Sequence, residues 1–180
     1  NYLISTKILD VKDAKAFNGD AAITKGEALK ILMNSLTYFY EGRYYYGNET
    51  VEQTFDNIDP KHPLFQLIER AVSAEIIKAG DKKFDVDSPV TREELSAWYI
   101  RVLGLEHAAK HYDIYKVNFE DTNKIKSDYI GYVALANKYG LFATEKNQFN
   151  PQQEVTYAEM SVSTIRLAHE IAKKGRYNNY

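Results

Sequence analysis

One pattern of apolar and polar positions occurs three times along the chain. A Phe is followed six positions later by Ile or Val and then at once by Thr, with Glu three residues after the Thr. The copies begin at Phe17, Phe84 and Phe149, which are 67 and 65 residues apart. A near-constant period of this kind is the signature of repeated structural units. The sequence therefore predicts three related repeats.

Each copy also predicts the start of an α-helix. Thr followed three residues later by Glu is a capping box, in which the Thr hydroxyl accepts the N3 amide and the Glu carboxylate accepts the N-cap amide. The apolar residue before the Thr packs on position N4. The predicted structural caps are Thr24 with Glu27, Thr91 with Glu94, and Thr156 with Glu159.

Beyond each cap the apolar residues recur near the 3.6-residue period of a helix with one buried face. This spacing predicts helices over residues 24–39, 91–104 and 156–173. The position nine residues after the capping Thr is expected to face the core. It is occupied by Met33, Ile100 and Ile165.

Another helix is predicted before each Phe, over about 63–78 in the middle repeat and 128–142 in the last. Gly80 and Gly140 are expected to end these helices, because glycine readily adopts the left-handed conformation that follows a helix. In the first repeat only the end of this helix is present. No convincing strand is found, so the predicted fold class is all-α.

These elements divide the chain into repeats, linkers and a tail. The repeats are predicted at residues 1–39, 55–104 and 119–174. A Tyr- and Gly-rich linker is predicted at 40–54, a second linker at 105–118, and a C-terminal tail at 175–180.

Composition narrows the class of protein. Leu, Ile, Val and Phe make up 45 of the 180 residues, which is enough for a folded core. The net charge of −2 argues against a nucleic-acid partner, which usually requires a basic excess. No apolar run is long enough to predict a membrane-spanning helix. The sequence has no Cys, which excludes disulfides, thiolate metal sites and a Cys nucleophile.

The repeats resemble the S-layer homology domain of bacterial cell-surface proteins. The middle repeat is the most similar, with Phe55-Asp56, Phe84 and the tetrapeptide Thr91-Arg92-Glu93-Glu94. That tetrapeptide is similar to the Thr-Arg-Ala-Glu sequence that opens the second helix in this family. The last repeat keeps Phe119-Glu120-Asp121 and Val155-Thr156-Tyr157-Ala158-Glu159.

The resemblance implies a fold and a function. The fold is three helix-loop-helix repeats in a pseudo-threefold spindle around a central helical bundle. The function is non-catalytic anchoring of an exported protein at the cell wall or S-layer of a Gram-positive bacterium. The implied partner is an anionic secondary cell-wall polysaccharide, often bearing pyruvate ketals, bound in grooves between repeats. We expect a monomer without cofactors.

The resemblance also assigns glycan contact to the residue after each capping Thr. Arg92 is expected to be exposed there, where its guanidinium suits a carboxylate and the helix amides add to the attraction. Lys25 keeps the charge in the first repeat but loses the two-pronged hydrogen bonding. Tyr157 keeps a hydrogen bond and a stacking face in the third.

Three further features have two readings each. The Tyr38–Tyr46 cluster, which contains Arg43, suits sugar rings and an anion, or it covers the bundle as a loop. Trp98 is either core packing or the wall of a glycan groove. His107 and His111 have the spacing of zinc ligands, but no third ligand with clear spacing appears nearby, so no metal site is predicted.

An alternative function belongs to a different class. Lys25 and Tyr157 depart from the family pattern, which favours a structural or protein-interaction domain that kept the fold and lost glycan binding. Catalysis has little support, because the sequence contains no nucleophile elbow, phosphate loop or metalloprotease helix. The chain is therefore not expected to be an enzyme.

Overall fold

The computed structural model describes residues 17–39, 52–111 and 117–177. Within these ranges the regular elements are helices, and extended pairing is limited to isolated bridges. The all-α prediction is therefore confirmed, while the three-repeat spindle stays a prediction. The first helix of repeat 1 and Arg43 lie outside the described residues.

The described chain forms six α-helices and two short 3-10 helices. The α-helices are α1 (Lys25–Phe39), α2 (Phe65–Ser73), α3 (Arg92–Val102), α4 (Glu106–Lys110), α5 (Ile130–Lys138) and α6 (Tyr157–Tyr177). The 3-10 helices cover Thr122–Lys124 and Ser127–Tyr129. None of the described helices is both long and apolar enough to cross a membrane.

The chain divides into two units. Unit 1 comprises Asn1–Pro89 and Thr156–Ser161, and unit 2 comprises Val90–Val155 and Val162–Tyr180. Each unit therefore combines parts of more than one repeat, and the predicted repeat boundaries stay a prediction.

The three capped helices begin where the sequence predicts. Helices α1, α3 and α6 each start at the residue after the capping Thr. The residues before each Thr and at N4 are completely buried, as a hydrophobic staple requires. They are Ile23, Ala28, Val90, Leu95, Val155 and Met160.

Helix α2 is shorter than predicted, and Gly80 does not end it. The helix stops at Ser73, because Glu75 adopts a left-handed conformation with φ 56°. Gly140, with φ 61°, occupies the same place after α5. The turn at Glu75 brings the Ile76 amide onto the carbonyl of Ala71 at 2.9 Å and buries the Ile76 side chain.

A Phe pair and a short polar side chain hold the loops that precede the caps at Thr91 and Thr156. In unit 1 the rings of Phe55 and Phe84 lie 5.5 Å apart, and the Asn57 side chain both donates to and accepts from the Phe84 backbone. In unit 2 Phe119 and Phe149 are also 5.5 Å apart. Buried Asp121 plays the part of Asn57, and its carboxylate accepts the amides of Phe149 and Asn150 at 2.9 and 2.7 Å.

The last helix buries a different face from the one predicted. Ile165 is 46% exposed, so its assignment to the core is wrong. The buried face of α6 contains Met160, Ser163, Thr164, Leu167 and Ile171, which recur at helical spacing. Ile165 lies on the opposite side of the helix with Val162. Ile100 is buried at the equivalent position because α3 is covered on nearly all sides.

The segment predicted as the second linker contains helix α4, which packs on α5 in unit 2. The contact is closest at Gly131, where an added Cβ would overlap the carbonyl oxygen of Ala109. Gly131 therefore allows the two backbones to approach each other more closely than any other residue would.

We predict that Gly131→Ala lowers the free energy of unfolding by about 3 kcal/mol, because the backbones must separate to admit the methyl group. The matched control is Gly80→Ala, since a Cβ at Gly80 meets no atom within 4 Å. The control should change stability by less than about 0.5 kcal/mol. Urea unfolding followed by circular dichroism measures both variants, and equal stabilities would contradict the close contact.

Candidate functional site

Each of the three capping Thr residues accepts the N3 amide of the helix that follows it. The N3 amides of Glu27, Glu94 and Glu159 donate to the hydroxyls of Thr24, Thr91 and Thr156 at 3.2, 3.4 and 3.2 Å. In the first two boxes the Glu carboxylate also accepts the amide of its Thr, at 3.3 and 2.9 Å. These six residues fix where the second helix of each repeat begins.

The N1 and N2 backbone amides of each capped helix donate hydrogen bonds to carbonyls in a loop of another repeat. The acceptors always lie four and two residues after the Phe that begins the pattern. In unit 1, Lys25 and Gly26 donate to the carbonyls of Ser88 and Val86 at 2.8 and 2.9 Å, and Tyr157 and Ala158 donate to those of Ala21 and Gly19 at 3.1 and 2.8 Å. In unit 2, Arg92 and Glu93 donate to the carbonyls of Gln153 and Pro151, each at 3.0 Å.

These bonds change the prediction for anion binding. A helix N-terminus attracts an anion through amides that have no partner within the helix. Here the N1 and N2 amides donate to loop carbonyls and the N3 amide to the capping Thr. The expectation that these amides assist Arg92 in holding a carboxylate is therefore wrong.

Arg92 is buried rather than exposed, which corrects the prediction for the main candidate residue. Only 4% of its surface is accessible. Its Nη2 donates to the carbonyl of Ala143 at 2.8 Å, and its guanidinium carbon lies 5.0 and 4.8 Å from the ring centres of Phe142 and Phe149. The loop of repeat 3 thus covers the guanidinium and supplies aromatic faces that stabilise its charge.

Tyr157 occupies the equivalent position in repeat 3 and also packs on an aromatic ring. Its ring meets the edge of Phe17 at a centroid distance of 5.6 Å, and its hydroxyl donates to the carboxylate of Glu27. Burial and this carboxylate raise the pKa of the Tyr157 phenol well above its ordinary value.

Two of the three N1 side chains therefore pack on the Phe that begins another copy of the pattern. Arg92 lies over Phe149 in unit 2, and Tyr157 meets Phe17 in unit 1. Lys25, the third N1 residue, is partly exposed. The position assigned to glycan contact thus helps to hold one repeat on the next.

The other candidates separate into buried and surface residues. Trp98 is 6% exposed, which agrees with its reading as core packing. Tyr38 is 48% exposed at the end of α1, whereas Arg43 and the rest of its Tyr cluster from residue 40 onward lie outside the described residues. The exposed rings of His107 and His111 touch edge to face at 4.8 Å, and within the described ranges neither joins a group of three or more metal-ligating side chains.

The sequence does not predict the ion pair that the buried Glu93 carboxylate, beside Arg92, forms with the exposed ammonium of Lys126. Glu93 is completely buried, with its carboxylate 3.2 Å from the Lys126 ammonium and 3.2 Å from the Lys126 amide. The other repeats place Gly26 and Ala158 at this position. The signal in the sequence was Glu93, an acidic residue of the tetrapeptide that the capping box does not use, but its partner lies 33 residues away.

We predict that Arg92→Ala lowers the free energy of unfolding by about 2–3 kcal/mol, because a buried hydrogen bond and two cation–aromatic contacts are lost. Lys138→Ala, an exposed cation at the end of α5, is the control and should change stability by less than about 0.5 kcal/mol. Thermal melts compare them. If Arg92→Ala melts at the wild-type temperature, the guanidinium is not packed as described.

A second prediction concerns pH. Tyr157→Phe should cost about 1 kcal/mol at pH 8 through the lost hydrogen bond to Glu27. Because folding raises the pKa of this phenol, its contribution is complete below about pH 10 and falls as the pH rises further. The difference in unfolding free energy between wild type and Tyr157→Phe should therefore narrow above about pH 10. A constant difference from pH 8 to 11 would contradict the bond.

Two comparisons with known proteins bear on this arrangement. Residues 54–96 and 118–161 each match the model of the S-layer homology domain. A protein described as "Cell surface protein" from Thermoanaerobacter kivui is 31% identical over 114 residues. This alignment covers 62% of the chain but 15% of the relative, so the chain spans a small part of that protein's length. Two segments of the chain, residues 54–96 and 118–161, are therefore similar to S-layer homology domains.

Proposed function

We propose that this chain is a non-catalytic module that anchors a protein at the bacterial cell surface by binding an anionic secondary cell-wall polysaccharide. The observation that carries the proposal is the pair of segments that match the S-layer homology domain, each of which contains a complete Phe-to-Glu pattern. The name of the Thermoanaerobacter kivui relative points to the same location. The proposed location is extracellular, and the proposed ligand is the polysaccharide.

The ligand chemistry that fits best is a carboxylate on a sugar, such as a pyruvate ketal. We assign its main contact to Lys25, which combines a positive charge with a partly exposed side chain at the N1 position of α1. Arg92 is almost completely buried, and its guanidinium already donates to the carbonyl of Ala143. We therefore propose that Arg92 contributes less to binding of the sugar carboxylate than Lys25 does, although a guanidinium can form two parallel hydrogen bonds to a carboxylate.

A second candidate function rests on how the N1 side chains are used. Arg92 and Tyr157 make their contacts within the fold, with aromatic rings, a backbone carbonyl and the Glu27 carboxylate. A domain that uses its family's ligand position for its own packing suits a structural or protein-interaction role without glycan.

A sedimentation assay with purified cell-wall sacculi, with and without extraction of the polysaccharide, distinguishes the two functions. We expect binding to intact sacculi only, and weaker binding at high salt, because salt screens an exposed ion pair. Lys25→Ala should lower affinity about tenfold, the loss of one charge-assisted hydrogen bond. Lys30→Ala, an exposed cation on the same helix, is the matched control and should bind like wild type.

Two outcomes would overturn parts of the proposal. Equal binding to intact and extracted sacculi, or none to either, would favour the protein-interaction domain. Binding that needs the polysaccharide but is unchanged in Lys25→Ala would keep the anchoring function and remove Lys25 from the site. A thermal melt of each variant ensures that loss of binding is not loss of folding.

A further inference from the structure

Two histidine side chains lie side by side on the surface of unit 2, at the end of α4. The imidazole rings of His107 and His111 meet edge to face, with their centres 4.8 Å apart. Both residues are exposed, and the described part of the chain gives neither imidazole a hydrogen-bond or ion-pair partner. The ring nitrogens are therefore open to a ligand from solution.

The spacing of the two rings suits a shared metal ion. Imidazole nitrogen binds Zn²⁺ at about 2.1 Å, which places the ion about 3 Å from the centre of the ring. Two rings on one tetrahedral ion then have their centres about 5 Å apart. The separation of His107 and His111 is close to this value, so we expect rotation of the side chains to bring one nitrogen of each ring onto the same ion.

The backbone that carries the pair is held in place from its other side. Ala109 is 2% exposed, and its carbonyl lies directly against Gly131 of α5. Glu106 accepts hydrogen bonds from Nε of Arg101 at 3.2 Å and from the hydroxyl of Tyr132 at 3.0 Å. Because these contacts fix α4, binding of an ion has to order only the two imidazole side chains.

We propose that His107 and His111 bind one divalent transition-metal ion such as Zn²⁺, with water in the remaining coordination positions. Two His four residues apart on one helix face form a known spacing of zinc ligands. The sequence predicts no metal site because it shows no third ligand, whereas the structure adds that the two rings are in contact. A site with two protein ligands is open and exchanges its ion, unlike a structural zinc site with four.

Titration of the whole chain with zinc chloride tests the site. Calorimetry should show one ion bound per chain, and the imidazole signals in NMR spectra should shift for two of the four His. Magnesium chloride should produce neither effect, because Mg²⁺ prefers oxygen ligands. His107→Ala and His111→Ala should each lower the affinity for Zn²⁺ at least about tenfold, since one of the two protein ligands is lost.

The matched control is His169→Ala, which removes an exposed imidazole of α6 and should bind Zn²⁺ like wild type. Thermal melts without metal show whether each variant is folded. Added Zn²⁺ should raise the melting temperature of wild type and of His169→Ala but not of His107→Ala, because an ion that binds the folded state stabilises it. Absence of Zn²⁺ binding by wild type, or equal affinity in wild type and folded His107→Ala, would overturn the proposal.

Discussion

The described structure depends on the pairing of two helix amides with two loop carbonyls from another repeat. The loops before Thr91 and Thr156 present their carbonyls correctly because a buried Phe, Phe84 or Phe149, and a polar clamp, Asn57 or Asp121, fix their path. Each helix presents its amides because a Thr cap begins it at one defined residue. The start of the helix, the path of the loop and the contacts of the N1 side chain therefore depend on one another, and a substitution at one of them changes the geometry of the other two.

This constraint explains how much the sequence could predict. The capping box joins residues three apart, so Thr91 and Glu94 specify their contact locally, and the starts of the capped helices followed from it. The burial of Arg92 could not be predicted in this way. Its cover is supplied by Ala143 and Phe149, more than fifty residues along the chain, and no local pattern encodes that approach.

The error at Ile165 has a related cause. A search for recurring apolar residues treats hydroxyl side chains as surface, so it placed Ile165 in the core and overlooked Ser163 and Thr164. Those hydroxyls are buried because Tyr99 satisfies them from another helix. A search for apolar periodicity thus misses buried polar positions whose partners are distant in sequence, and here they are two of the five buried residues of one helix face.

Divergence at the N1 position also acquires a physical meaning. The family pattern has Arg at the position of Tyr157, so comparison of the sequences alone would interpret Tyr157 as the loss of a ligand-binding residue. In the structure Tyr157 fits its own surroundings, because its ring meets Phe17 and its phenol donates to Glu27. Arg92 likewise fits two aromatic rings and a carbonyl. Each residue matches the loop that it packs on, so the contacts between repeats account for the difference between Arg92 and Tyr157 without requiring that either one bind a ligand.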